Sequence, residues 1–426
     1  MSRKNKLAIH NQHLVLKRAL VTIAITLAFI TMTEIPLPYI NVAPLLLGMT
    51  HQKMQSFQML SILSGGNLQQ GSIMMIGLMP FIMIQLVMQV LQLGISSRLK
   101  ALSETANGQK RLGKITKLLT LPVAFIQAGI TIITLEKITN QQFIMAKGLP
   151  LPFVVLTLML IITASTYLAI WLSDLNTIYG LGNGINYLVS CSIVVSMIEN
   201  LNINNSVMHK LMKIIGSHVV LVVGLCLLIL VLYNAICIWY QSSTYRLKIQ
   251  FTQLSSSVDK DGRLPFSLNI ANVMPIIFAG ILMNMIFTLN IWHNNNIQAL
   301  VSFKTWGSIG LYTVILIAFT YLFTFIQFYP SKLNENLDRM NAYIIGVDPT
   351  LATISYFEKS LFLLATFNAI FYIVMVVIPM IIFKLLGLPE QYVLSASSIF
   401  ILVATETDIR RQVVGLKAKE IHDKII

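Results

Sequence analysis

Long apolar runs separated by short polar connections make up most of the chain. A helix needs about 20 mostly apolar residues to cross a bilayer. Ten stretches approach that pattern: residues 19–37, 72–93, 115–135, 151–173, 185–201, 217–240, 270–291, 306–328, 360–383 and 391–407. The sequence therefore predicts an all-α polytopic membrane protein with ten transmembrane helices.

Composition agrees with that pattern. Hydrophobic residues make up 56% of the 426 and charged residues 11%, with a mean hydropathy of +0.75, which excludes an ordinary water-soluble core. The net charge of +14 could indicate nucleic-acid binding. The basic residues, however, lie between apolar segments and form no single solvated face. We therefore expect contact with anionic membrane lipid and no nucleic-acid partner.

The basic residues also predict the topology. Most Lys and Arg residues fall in the N-terminus, in the connections 98–117, 246–263 and 332–359, and after residue 410. The positive-inside rule then places both termini in the cytosol, as expected for a plasma-membrane protein. Five spans in each half make the second half insert upside down, so residues 1–205 and 206–426 are predicted to be two inverted five-helix halves.

Reactive side chains are sparse in the predicted spans. Glu34, Asp174 and Glu406 lie near span ends, the seven histidines lack metal-ligand spacing, and GLGNG at 180–184 lacks the lysine of a phosphate-binding loop. The sequence thus predicts no catalytic residue, no metal site and no cofactor. A small-solute secondary transporter stays an alternative, although it would need a buried ionisable site at the midplane.

Polar, helix-interrupting stretches adjoin several apolar runs: SGGNLQQGS at 64–72, GLMPFI at 77–82, GLGNGIN at 180–186 and NIANVMPIIFAG at 269–280. Singly, each could be a helix cap or kink. In this order, together with IPLPYINV at 35–42, the polar loop 99–120 and NENLDRMNAYIIGVDPTLAT at 334–353, they resemble the SecY family of protein-conducting channels over nearly the whole chain.

The resemblance implies an hourglass channel that is closed at its waist by a ring of aliphatic side chains. By motif, the ring positions are Leu78, Ile82, Ile185, Val189, Ile277 and Ile401. It also implies a plug at about 55–68 with a hinge at Ser64, Gly65 and Gly66; a re-entrant packing element is the alternative. The glycines of GLGNGIN are expected to bend the connection so that Ile185 faces the pore, and a tight turn without further role is the alternative.

A lateral gate between the halves is the next implied feature. Gln89 and Gln127 match family gate positions, and Gln85 and Asn284 lie nearby on the predicted helices. The alternative for each of these side chains is an interhelical hydrogen bond that holds the helices together and has no role in gating.

Cytosolic loops at 241–266 and 329–355 resemble the family's docking loops for the ribosome or the SecA motor, with Tyr245, Arg246, Lys248 and Asp348 as candidate contacts. The implied partners are a SecA-type motor ATPase, small SecE-like or accessory membrane subunits, and an unfolded secretory polypeptide.

Two departures from the family pattern refine the prediction. Asp348 stands in IIGVDPT where the family has arginine, and Ile30 and Met32 replace an arginine and a glycine of the first helix. Charge reversal at a docking loop disfavours a motor that evolved to meet arginine. The chain is therefore more similar to the accessory SecY of Gram-positive bacteria, which exports Ser-rich glycosylated adhesins with an accessory SecA; a divergent housekeeping channel is the alternative.

Overall fold

The computed structural model describes most of the chain. The described residues are 3–41, 71–92, 105–139, 142–145, 150–203, 219–251, 261–293, 305–328, 330–339, 341–344, 351–385 and 395–422. The plug segment and its hinge, Ser64, Gly65 and Gly66, lie outside this part, as does Asp348.

Long helices form the body of the protein. The first half contains α1 (Arg3–Glu34), α2 (Met79–Val90), α3 (Ala106–Ile138), α4 (Leu151–Tyr179) and α5 (Gly184–Ile203). The second half contains α6 (Val219–Ser242), α7 (Met274–His293), α8 (Trp306–Gln327), α9 (Pro330–Arg339), α10 (Leu351–Tyr372), α11 (Ile378–Leu385) and α12 (Ser395–His422). Each predicted span overlaps one of these helices, although several bounds differ, and α10 and α11 are joined by a π-helical turn, Ile373–Val377.

Length and apolarity identify helices that can cross a membrane. Among the described residues, five are long and apolar enough: Val15–Glu34, Asn107–Lys137, Leu151–Tyr179, Trp306–Gln327 and Thr353–Leu385. Four shorter apolar helices accompany them: Met79–Val90, Gly184–Ile198, Leu228–Ser242 and Met274–Met283. This arrangement agrees with a polytopic membrane protein.

A small sheet adds to the predicted all-α architecture. Strand β1 (Thr244–Phe251) pairs antiparallel with β2 (Asp261–Ser267) on one side and with β3 (Ala342–Ile344) on the other. The two predicted docking loops, 241–266 and 329–355, are therefore joined into one surface by main-chain hydrogen bonds.

Helix contacts follow the same order in both halves. In the first half α2 packs on α3, α3 on α4, α4 on α5 and α1 on α5; in the second, α7 packs on α8, α8 on α10 and α6 on α12. The halves meet where α2 and α3 contact α7 and where α5 contacts α12. This shared contact order is compatible with the predicted repeat of two five-helix halves.

Candidate functional site

The segment leading into α2 is irregular, although the sequence pattern predicted helix from residue 72. Gly77 adopts a left-handed backbone with φ of 59°, and the helix begins at Met79 with a proline in its first turn. Proline fits there because its missing N–H is not needed by the helix. Ser165 of α4 holds the segment by donating a hydrogen bond to the carbonyl oxygen of Ile73 at 2.5 Å.

The segment leading into α7 is built in the same way. Asn272 takes the left-handed conformation with φ of 52°, and Met274 begins the helix two residues later, followed by Pro275. The hydroxyl of Tyr372, on α10, lies 2.6 Å from the carbonyl oxygen of Asn272 and 2.7 Å from Oδ1 of Asn269. Each half thus fixes the start of a ring-bearing helix by a side chain from a later helix.

These two segments share a sequence pattern that the span analysis did not use. GLMPFI at 77–82 and NVMPII at 272–277 align residue by residue when the left-handed residues Gly77 and Asn272 are matched. In both segments the amide of the last residue, Ile82 or Ile277, donates a hydrogen bond to the carbonyl oxygen four residues earlier. Val273 then occupies the place of Leu78 and is equally buried. It is a waist candidate that motif matching missed.

The six predicted ring residues lie in or against one contiguous apolar cluster. Leu78, Ile82, Val189, Ile277 and Ile401 are at most 1% exposed and belong to the cluster itself. Ile185 is half-buried and packs against it. Side chains from α2, α5, α7 and α12 and the turn before α2 therefore belong to or pack against the same apolar core, which also contains residues of other long helices.

The GLGNGIN turn joins α4 to α5 and is held from three helices. The amide of Leu181 donates to Thr22 Oγ1 on α1 at 2.9 Å, the amide of Gly184 donates to Thr177 Oγ1 on α4 at 3.0 Å, and the amide of Gly182 donates to Gln412 Oε1 on α12. Asn183 Oδ1 accepts from the amide of Ile185 at 3.2 Å and so caps α5. These bonds fix the direction in which α5 leaves the turn.

The predicted gate glutamines lie on α2 and α3. Gln127 places Nε2 2.9 Å from the sulfur of Met79, while Oε1 of Gln127 and Oε1 of Gln89 are buried without a hydrogen-bond partner. Gln85 is half-buried. The backbone of Asn284 lies in α7, and its side chain is outside the described part of the structure.

The docking candidates that can be placed lie on β1. Tyr245 is 46% exposed and Arg246 is also exposed, whereas for Lys248 only the backbone is described. Lys248 pairs in register with Arg263 of β2. The strand therefore carries an exposed aromatic residue followed by an exposed basic one, and successive strand residues point to opposite faces of the sheet.

A polar network at the predicted cytosolic end of α12 was not visible in the sequence. Asp408 accepts a hydrogen bond from Asn272 Nδ2 at 2.9 Å, and Arg411 donates to the carbonyl oxygen of Gln241 and to Ser267 Oγ at 3.3 Å. Burial raises the pKa of the Asp408 carboxyl above its usual value, and hydrogen bonds from Asn272 and Asn186 together with the Arg411 charge oppose that shift. The network ties α12 to α6, β2 and the start of α7.

Comparison with known proteins gives a consistent result. The sequence profile described as SecY matches residues 72–409. Protein translocase subunit SecY 2 of Lactobacillus kefiranofaciens subsp. kefiranofaciens is 31% identical over 377 residues, covering 85% of this chain and 89% of the relative. Protein translocase subunit SecY of Streptococcus gordonii is 28% identical and covers 94% of this chain and 93% of its own.

Solved structures confirm the predicted fold class. A SecY protein whose plug domain is described as stabilising the closed channel matches with a TM-score of 0.67 at 13% identity, covering 96% of this chain and 94% of its own. A protein-conducting channel matches with a TM-score of 0.65 at 12% identity over the same shares. Together with the profile match over most of the length, these findings show that the chain belongs to the SecY family of protein translocase channel subunits.

Proposed function

We propose that this chain is the central channel of an accessory Sec translocase, through which unfolded polypeptides cross the plasma membrane. The observation that supports the channel assignment is the burial of Leu78, Ile82, Val189, Ile277 and Ile401 within one apolar cluster, with Ile185 packed against it. Residues drawn from separate parts of the chain are brought together there, and no reactive side chain is required.

An aliphatic waist acts through water exclusion. A narrow apolar constriction dewets, so an ion that enters loses its hydration shell and gains no ligand. An unfolded polypeptide can displace the same side chains because they make no directional bonds with their neighbours. The segment at about 55–68 would close the outer side as a plug, and a signal sequence would part α2 and α3 from α7 at Gln85, Gln89, Gln127 and Asn284.

The accessory assignment rests on the docking surface. Strand β3 pairs beside β1 and precedes Asp348 by four residues in the sequence, so we expect a partner that binds Tyr245 or Arg246 on β1 to reach Asp348 as well. An acidic residue there repels a partner surface built for arginine and favours a motor with complementary basic groups. Similarity to a relative named SecY 2 supports the same assignment.

The full assembly follows from this placement. Both termini and the sheet would lie in the cytosol, where an accessory SecA-type ATPase bound to the docking face would push the cargo into the channel and out of the cell. Small SecE-like or accessory membrane subunits would complete the complex, and the cargo would be Ser-rich glycosylated adhesins. No bound nucleotide or metal is needed within this chain, since the motor supplies the energy.

Reconstitution tests the proposal. We expect proteoliposomes containing this chain and its small subunits to import a Ser-rich precursor with accessory SecA and ATP, and to do so poorly with housekeeping SecA. Asp348→Arg is expected to shift the preference toward the housekeeping motor, while Asp338→Arg, on exposed α9 of the same loop, serves as the matched charge control. Equal use of both motors by the unaltered chain, or no shift with Asp348→Arg, would contradict the accessory assignment.

A further inference from the structure

Two waist residues each have an asparagine beside them. Asn186 follows Ile185 at the start of α5, and Asn272 precedes Val273 at the entry to α7. Both asparagines donate hydrogen bonds to one carboxylate, that of Asp408 on α12, and the bond from Asn272 Nδ2 is 2.9 Å long. A single side chain of α12 therefore links the residues next to one waist position in each half.

Asn272 differs from its counterpart in the first half. The aligned segments that lead into α2 and α7 place Gly77 and Asn272 in the left-handed region, with φ of 59° and 52°. Glycine adopts that conformation without steric cost, whereas asparagine adopts it with some strain. Asparagine adds a side-chain amide that glycine lacks, and here the amide reaches Asp408. The identity of residue 272 is thus explained by its bond to α12 as well as by its backbone.

α12 holds the segment that leads into α7 at a second point. Arg411, three residues after Asp408, donates a hydrogen bond to Ser267 Oγ at 3.3 Å. Residues three apart on a helix lie on the same face, and the positive charge of Arg411 also attracts the Asp408 carboxylate. Ser267 and Asn272 are therefore both tied to one face of α12. The start of α7 cannot shift relative to α12 without breaking these bonds.

Burial makes the bond to Asn186 costly to lose. Asn186 is 2% exposed, and its Oδ1 atom is buried without a hydrogen-bond partner. Removal of the acceptor on Asp408 would leave the nitrogen of this amide unpaired as well, and an unpaired buried polar group carries its full desolvation cost. A carboxylate has two oxygens and accepts two amides at once, whereas the side chain of asparagine has one acceptor oxygen. Aspartate at position 408 thus satisfies Asn186 and Asn272 together.

We propose that Asp408 is a positioning residue of the closed waist: by holding one asparagine of each half, it sets the distance between Ile185 and Val273. Ile401, the ring residue of α12, lies about two turns away on the same helix and is placed by the same contact. A waist whose aliphatic side chains are held apart admits water, and ions follow the water. This inference rests on the proposed channel function.

A reversal of donor and acceptor tests the contact. Asn272→Asp places a second carboxylate against Asp408, and Asp408→Asn leaves one acceptor oxygen for two amides. In the double variant, the amide introduced by Asp408→Asn donates to the carboxylate introduced by Asn272→Asp, while its oxygen accepts from Asn186. Both hydrogen bonds are thereby rebuilt, one of them with the opposite polarity. A further variant, Asn272→Gly, keeps the left-handed backbone and removes the amide.

Ion flux into sealed vesicles is measured for the resting channel, well below the melting temperature of each variant. We expect Asn272→Asp to raise the leak at least about tenfold, the shift that loss of a hydrogen bond to a charged group supports. Asn272→Gly should raise it about threefold, because glycine relieves the backbone strain and offsets part of the loss. The double variant should leak within about twofold of the unaltered chain, since both bonds are present again. Asn272→Gly carries the test if Asn272→Asp does not yield folded protein.

Two further variants separate positioning from general stability. Tyr233→Phe removes the hydrogen bond from the Tyr233 hydroxyl of α6 to the carbonyl oxygen of Met375 at 3.1 Å, a contact that involves none of α5, α7 and α12. It should lower the melting temperature without raising the leak. Glu406→Gln removes an exposed carboxylate of α12 that pairs with Arg410 at 3.5 Å, and it should leave the leak unchanged. A leak in Tyr233→Phe as large as that in Asn272→Gly would overturn the inference, because the leak would then follow stability.

Ile185→Gly with Ile277→Ser is the positive control for leak through the waist. If this variant leaks while Asn272→Asp and Asn272→Gly stay tight, the inference is overturned and the channel assignment stands. A leak in Asn272→Asp that Asp408→Asn does not reverse also overturns it, because the two side chains would then not act through their contact. Vesicles that stay tight with the positive control, together with no transport of the precursor by the unaltered chain, would instead overturn the proposed function, and the inference with it.

Discussion

Replacing Gly184 with alanine adds one methyl group where α5 begins against α4. A Cβ built on Gly184 would lie 1.9 Å from the carbonyl oxygen of Ser173 and 2.7 Å from Oγ1 of Thr177. Real Cβ atoms essentially never come within 3.0 Å of such a neighbour, so α5 would have to withdraw by roughly 1 Å. The obstacle is backbone inside a helix and cannot rotate away.

The cost has two parts. Overpacking of this kind in a close-packed interior typically destabilises by about 1 to 3 kcal/mol. The bond from the Gly184 amide to Thr177 would also lengthen from 3.0 Å, and its loss adds about 1 kcal/mol. We therefore expect Gly184→Ala to lower the free energy of unfolding by about 2 to 4 kcal/mol, and to displace Ile185 from the apolar cluster.

Thermal unfolding in detergent and ion flux into sealed vesicles measure these two effects. Gly113→Ala in α3 is the matched control, because nothing lies within 4 Å of a Cβ at that exposed helical position. The control should be neutral or slightly stabilising, as alanine is the better helix former by about 1 kcal/mol. If Gly184→Ala unfolds at the same temperature as Gly113→Ala and the vesicles stay tight, the turn does not set the start of α5.

Three further predictions follow from the waist and its supports. Ile185→Gly with Ile277→Ser should make the resting channel leak small ions, since the aliphatic constriction no longer dewets; vesicles as tight as those with the unaltered chain would contradict the ring. Tyr372→Phe should destabilise the protein by about 1 to 3 kcal/mol, because buried acceptors before α7 lose their donor, while Tyr321→Phe, at a partly exposed pair, should cost less; equal melting temperatures would refute this. Ser165→Ala removes the support of the α2 lead-in, and we expect faster hydrogen exchange at residues 71–78 than in the unaltered chain; unchanged exchange would argue against that role.

The length of the apolar runs predicted the helix bounds well where a local sequence feature, such as a proline, also marks the helix end. The fourth span was predicted from residue 151, and α4 begins at Leu151 directly after Pro150, as α8 begins at the predicted residue 306. Residues 72–78 and 270–273 are equally apolar, yet they are not helical. Their carbonyl oxygens accept hydrogen bonds from side chains 92 and 100 residues further along the sequence. A local sequence pattern cannot predict partners at that separation.

The same limit applies to the candidate site. Motif resemblance placed the six ring positions on elements that share one apolar cluster, because aliphatic burial and sequence motif coincide there. The hydrogen bond between Ser190 of α5 and Thr405 of α12, and the bond from the Gly182 amide in the preceding turn to Gln412, join residues 215 and 230 positions apart, and none of these side chains stands out in the sequence. Only the fold brings them into register, and the sheet that unites the docking loops is likewise a long-range pairing.

The construction of the two helix starts bears on how a leak through the waist should be interpreted. In both halves a left-handed residue, Gly77 or Asn272, precedes an aliphatic residue, a methionine and a proline. The position at which α2 and α7 begin is thus set by backbone conformation and by hydrogen bonds from α4 and α10, whereas the ring residues Ile82 and Ile277 lie about one turn further on. A polar or small residue at Ile277 should therefore leave the helix start in place, so that ion flux through such a variant reports loss of dewetting at the waist and not a displaced helix. Hydrogen exchange at residues 270–274 that rises in an Ile277 variant as much as in Tyr372→Phe would contradict this separation of roles.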